Sequence, residues 1–84
     1  MDNSQFGHSV RQFITNHFPL ARKRKLEDTD PLIESGVIDS LGVLDVVAFI
    51  EEEFQIKVED EDLTADNFQN ISKIASFVSK KRNG

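Results

Sequence analysis

The chain has no cysteine, tryptophan or tyrosine, and only one methionine and two prolines among its 84 residues. Without cysteine there can be no disulfide framework, no thiolate metal site and no cysteine nucleophile, so any thiol chemistry must come from a cofactor. No apolar run is long enough to span a membrane, and no basic segment leads into an apolar stretch of the secretory kind, so a cytoplasmic location is expected. Seven phenylalanines are the only aromatics, and 38% hydrophobic against 30% charged residues describes a soluble globular chain rather than a disordered one. A chain of this length buries roughly 60% of its unfolded surface, which supports one modest core. A single domain over residues 1–84 is therefore expected.

Charge is unevenly spread. Residues 1–26 carry five bases (Arg11, Arg22, Lys23, Arg24, Lys25) against Asp2, a balance of +4, whereas residues 27–84 carry fourteen acids against five bases, a balance of −9. An acidic field of this kind attracts basic partner surfaces and speeds their encounter, with a strength that falls as salt rises. The tract Arg22-Lys23-Arg24-Lys25 is the one dense positive segment. It has no interleaved aromatic to stack on bases and sits in a chain that would repel a phosphate backbone, so it reads as a solvated loop and no nucleic-acid partner is expected.

The strongest amphipathic pattern begins at Leu41, after which Val43, Val46, Val47, Ile50 and Phe54 recur at helical spacing. Pro31, Ser35 and Gly36 break regular structure before it, and Asp39 and Ser40 are both good N-cap residues, so a helix over Ser40 to about Phe54 is predicted with Ser40 at its N-terminus. Its opposite stripe, Leu41, Asp45, Ala48 and Glu52, suits a basic groove or a partner helix. Gly42 reads either as a residue admitting close approach of a partner or as tolerated slack in the first turn. Glu51-Glu52-Glu53 falls where the helix dipole disfavours acids, which implies a reason beyond local helix stability.

Before this helix, Phe6, Val10, Phe13, Ile14 and His17 predict a helix from Ser4 to His17, capped by Asp2, Asn3 or Ser4 and ended by Pro19, with Phe18 and Leu20 tucked beneath the bundle. The connection Pro19–Asp39, about twenty residues, is long enough to need its own anchors, and Leu26, Leu32, Ile33, Val37 and Ile38 supply them. After the central helix, Gln55–Val58 reads as an extended link plugged by Ile56 and Val58, and the acids of Glu59–Asp62 open a short helix near Asp60 with Leu63 inward. Thr64 and Asn70 read as caps, the second opening a last helix with Ile71, Ile74, Ala75 and Val78 on one face and Phe77 beside them. Lys80, Lys81 and Arg82 complement that helix's dipole. Three long helical patterns and one short one predict an all-α, antiparallel four-helix bundle with a long loop between its first two helices.

His8 and His17 lack metal-ligand spacing, and neither Asp28–Pro31 nor Glu59–Asp62 has the glycine and distal glutamate of a calcium loop, so no metal site is expected. A serine hydrolase is a poor reading of Asp39-Ser40-Leu41-Gly42, because there is no Gly-x-Ser-x-Gly elbow and little room for an α/β active site. An unmodified helical interaction module that uses the acidic face alone is a second alternative.

Asp39-Ser40-Leu41, the helix ending Glu51-Glu52-Glu53-Phe54 and the acidic link into a short helix together resemble a discrete acyl carrier protein over nearly the whole chain. The resemblance implies a tethered substrate, not an enzyme. It implies that Ser40 bears 4′-phosphopantetheine, attached from coenzyme A by a phosphopantetheinyl transferase that supplies Mg²⁺ and the base. Asp39 would orient the serine, and Leu41 would enter an apolar pocket of the transferase. Implied partners are that transferase, an acyl- or aminoacyl-loading ligase and downstream acyltransferase or synthase enzymes, with the carrier itself a monomer. Gly36 precedes Ser40 by four residues, where the commonest fatty-acid-synthesis carriers have three. Together with the basic loop, this resembles stand-alone carriers of specialised pathways, aminoacyl carriers included. Cargo stays open among fatty acyl, polyketide and aminoacyl groups.

Overall fold

The structure, a computed structural model, describes residues 3–23 and 25–83. It is all-helical, with no strand among the described residues: α1 spans Asn3–His17, α2 Pro19–Lys23, α3 Ser40–Phe54 and α4 Ile71–Asn83, with a 3₁₀ turn at Asp60–Asp62. Helix α1 packs against α2, α3 and α4, and α3 also meets α4. The three long helices and the predicted bundle are therefore present. The short helix α2 was not anticipated. Pro19 does end α1, but it also serves as the first residue of α2, a position where its missing N–H costs nothing and its fixed φ suits a helix.

The core follows the periodicities. Phe6, Val10 and Ile14 of α1, Val46, Ile50 and Phe54 of α3, and Ile71, Ile74, Ala75, Phe77 and Val78 of α4 are buried, with Phe13, Val43, Val47, Ile56 and Val58 packed partly against them. Asn70 caps α4 by accepting from Lys73 N at 2.7 Å. Of the three candidate caps for α1, Asn3 and Ser4 fall inside the helix, while Asp2 lies outside the described residues, as does Arg24 of the basic tract. Arg22, Lys23 and Lys25 are exposed.

The long connection is held at both ends. Leu26, Leu32, Val37 and Ile38 are buried as anchors, joined by Ala21 of α2. Backbone hydrogen bonds tie the loop across the fold, from Leu32 N to Gln69 O (2.8 Å) and from Ser72 N to Asp28 O (3.0 Å). Arg11 reaches from α1 to both the Asp28 carboxylate and the Leu26 carbonyl. Gly36, at φ 84°, makes the left-handed turn that returns the chain toward α3.

Three inward assignments do not hold. Leu20 is 47% exposed, Ile33 44% and Leu63 41%. Each adjoins a buried residue that already fills its part of the core: Ala21 beside Leu20, Leu32 beside Ile33, and Phe68 below the turn that carries Leu63.

One of the C-terminal acids of α3, Glu51, also gains an explanation. Gln55 leaves α3 in the left-handed conformation (φ 56°), and the Glu51 carboxylate then accepts from Val58 N at 2.8 Å, pinning the link that follows. The dipole is likewise not the only reason for the cations of α4. Lys81 pairs with Asp62 at 2.7 Å, and Arg82 donates to the Phe54 carbonyl at 2.5 Å.

Candidate functional site

Asp39, with extended backbone (φ −92°, ψ 179°), is the N-cap of α3, and its Oδ1 accepts from Gly42 N at 2.6 Å. Of the two candidate caps, Asp39 therefore takes the role, and Ser40 becomes the first helical residue. That choice matters chemically. The Asp39 carboxylate is spent on the backbone, while Ser40 is exposed at the end of a 15-residue helix, beside first-turn N–H groups that have no intrahelical acceptor.

Gly42 has an internal reason for being glycine. A Cβ there would stand 2.8 Å from Phe18 Cε1, 2.9 Å from Ile38 Cγ2 and 3.2 Å from Asp39 Oδ1. The residue is buried, so neither reading made from the sequence is right: it is the protein's own Phe18 and Ile38, not a partner, that approach it closely. Phe18 thereby wedges the end of α1 under the first turn of α3.

The predicted stripe is on the surface, with Leu41, Asp45, Ala48 and Glu52 all exposed. Leu41 is 75% exposed, so most of its side chain is open to solvent. Asp45 is met from α1 by His17, whose Nε2 lies 3.1 Å from Asp45 Oδ2. Leu44 was missed. It is 55% exposed, one turn beyond Ser40, and its place outside the core set of Val43, Val46 and Val47 was the available signal.

Leu20, Ile33, Leu41, Leu44 and Leu63 are the large apolar side chains most exposed to solvent among the described residues. Leu20 and Leu41 line a groove of about 450 Å³ on the α2 side, floored by Phe18 and Val37 and edged by Asp39 and Asp45. Ile33 and Leu63 line a cleft of about 240 Å³ on the other side, which Ser40 itself borders with Val43, Ala65 and Phe68. Exposed apolar side chains scattered singly need no explanation, but a contiguous set marks an interaction surface. Among the described residues no cluster of three or more His, Asp or Glu side chains is placed to hold a metal, and no helix is long and apolar enough to cross a membrane.

The second cleft is walled by Leu63, Thr64, Ala65 and Phe68, in the segment that follows the 3₁₀ turn. Asp62 accepts from Glu59 N at 2.9 Å and pairs with Lys81, and these interactions hold its carboxyl below the usual carboxylate range, the Lys81 hydrogen bond contributing most. The same bond raises Lys81 above the ordinary lysine range.

Residues 20–78 match the model of the phosphopantetheine attachment site family. Similar proteins include an acyl carrier protein of Brachyspira hyodysenteriae, 20% identical over 87% of this chain and 91% of that one. The D-alanyl carrier protein of Streptococcus uberis is 31% identical over 69% of this chain and 72% of its own length. Among solved structures, the holo acyl carrier protein of Nitrosomonas europaea superposes with a TM-score of 0.79 at 28% identity, covering 95% of this chain and 99% of that one. With its fold, its exposed serine at a helix start and a family match spanning most of its length, the chain belongs to the phosphopantetheine-binding family of carrier proteins, which bear a covalently attached cofactor and are not themselves catalysts.

Proposed function

We propose that Ser40 is the attachment residue and that the protein is a discrete carrier, a single domain over residues 1–84, holding acyl or aminoacyl groups for a specialised biosynthetic pathway. The observation that carries this reading is the solvent-facing serine at the first position of α3, followed by the exposed Leu41 and bordering a cleft that Ile33 and Leu63 line. Ser40 Oγ bonds to the β-phosphorus of coenzyme A as the bond to the adenosine bisphosphate breaks, and the hydroxyl proton passes to a base of the transferase. First-turn N–H groups and the positive end of the α3 dipole then favour the phosphodiester anion at this position. When bound, the group supplies a thiol that carries cargo as a thioester. Leu41 and Leu44 present apolar contacts to the transferase and to loading enzymes, while Asp45 and Glu52 meet their basic groups. A cytoplasmic location and a monomeric state fit this role.

Similarity to the D-alanyl carriers of streptococci and to a probable acyl carrier protein of Serratia, 21% identical over 95% of this chain, supports aminoacyl or acyl cargo. The test is incubation with coenzyme A, Mg²⁺ and a broad-specificity phosphopantetheinyl transferase, read by intact mass. One phosphopantetheine is expected on the wild type and none on Ser40→Ala. Modification that persists in Ser40→Ala, or that maps to Ser35, would overturn the assignment. The paired variant Asp45→Lys with Glu52→Lys should slow modification at low salt and leave helicity unchanged.

A further inference from the structure

Helix α1 ends in a stack of rings. Phe13 lies against Phe49 of α3 with centroids 4.3 Å apart and planes at 11°, and His17 lies against Phe13 at 4.9 Å and 16°. Phe18 meets the imidazole edge-on at 4.9 Å and 81°, and is itself wedged against Gly42. The imidazole thus meets one ring by face and another by edge, with its side chain 46% exposed. It is held so as to point Nε2 at Asp45 Oδ2, 3.1 Å away. A carboxylate only accepts, so Nε2 carries the proton in this contact.

Asp45 lies one turn beyond Leu41 on the exposed stripe, with its side chain 57% exposed, and His17 engages one of its two carboxylate oxygens. The α1–α3 cleft beside the ring is otherwise lined by the neutral Ser9, Gln12 and Asn16 and by Glu53 of α3. Helix α2 brings Arg22 and Lys23 to the same end of α1, both exposed. An exposed aspartate with no such contact would sample its rotamers freely and lose that freedom on docking. Held by a ring that itself packs on Phe13 and Phe18, Asp45 meets a partner's cation already aimed.

We propose that His17 is a positioning residue for partner recognition: through Asp45 it extends the docking surface around Ser40 from α3 onto the end of α1, toward partners that present an arginine or lysine. This rests on the carrier reading above.

The experiment measures steady-state modification of the full chain by the transferase as the carrier concentration is varied. His17→Phe keeps the stack on Phe13 and loses the hydrogen bond. It is expected to raise the carrier KM about threefold with kcat unchanged, the size of an exposed polar contact. His17→Gln, which can donate from a similar reach, should return KM to near the wild-type value. In an Asp45→Ala background, which should itself raise KM, His17→Phe should add nothing. An unchanged KM in His17→Phe, a rise that His17→Gln does not reverse, or the same rise with Asp45 already replaced would overturn the proposal. The contact is read separately by ¹⁵N NMR of the neutral imidazole. The ¹⁵N shift of the protonated Nε2 should show a hydrogen-bonded N–H in the wild type and change in Asp45→Ala, and the same shift in both would also overturn it. If the wild type takes no group at Ser40, the carrier reading falls on its own evidence, and the NMR result still decides whether His17 holds Asp45.

Discussion

Gly42→Ala should destabilise the protein even though alanine is the better helix former. In a helix interior the exchange favours alanine by at most about 1 kcal/mol. Against that gain stand three contacts of the new methyl, at 2.8 Å from Phe18 Cε1, 2.9 Å from Ile38 Cγ2 and 3.2 Å from Asp39 Oδ1. The Phe18 ring is half-buried and has some room to swing. Ile38 is 2% exposed and its Cγ2 is bonded directly to Cβ, so it moves only if χ1 or the backbone moves. Overpacking of this kind costs about 1–3 kcal/mol, and displacing Asp39 from Gly42 N weakens a cap worth about 1 kcal/mol. The net expectation is a loss of about 1–2 kcal/mol. With a urea m-value of about 1 kcal/mol/M for a chain this small, the unfolding midpoint should fall by about 1 M or more. Gly7→Ala in α1 is the control. The nearest atoms to its new methyl are Ala75 Cβ at 3.8 Å and Ile71 Cγ2 at 4.0 Å, ordinary contacts, so the propensity gain should appear as a stabilisation of about 0.5–1 kcal/mol. Urea unfolding followed by circular dichroism reads both variants. If both shift the midpoint in the same direction, or if Gly42→Ala raises it, the close approach of Phe18 and Ile38 does not govern this position.

Two other perturbations separate residues that look alike in the sequence. Glu51→Ala should lower stability by about 1 kcal/mol because Val58 N loses its acceptor, whereas Glu52→Ala and Glu53→Ala should stay within about 0.5 kcal/mol of the wild type; three equal effects in urea melts would count against a special role for Glu51. The Asp62–Lys81 pair should show in the pH dependence of stability. Asp62 is depressed in the folded state, so its contribution is present above the ordinary carboxylate pKa and is lost as pH falls below that value through the folded one. Lys81 is raised, so its contribution persists through neutral pH and is lost only as pH rises above the ordinary lysine range. Lys81→Met should therefore flatten part of the acid limb of the midpoint-versus-pH curve, and an unchanged limb would show that the pair contributes nothing measurable.

The sequence alone determined the three long helices, their buried faces and the serine at the head of α3. Each rests on local periodicity or on a cap read within a few residues, as with Val46, Ile50 and Phe54 in α3 or Asn70 before α4. It also showed that the connection before Ser40 is anchored, because Leu26, Leu32, Val37 and Ile38 had no other place to go. It did not reveal which neighbouring apolar residues stay outside. Leu20, Ile33 and Leu63 sit next to Ala21, Leu32 and the turn over Phe68, and the packed core has room for one member of each pair. Gly42, Glu51 and His17 were likewise undecided by local pattern. Their reasons lie in Phe18 and Ile38, in Val58 N and in Asp45, residues that come together only when α1, the long connection and the link after α3 fold against one another. Helical periodicity is a property of consecutive residues, whereas the two grooves at the head of α3 are lined by side chains from separate segments whose leftover apolar surface the core could not accommodate.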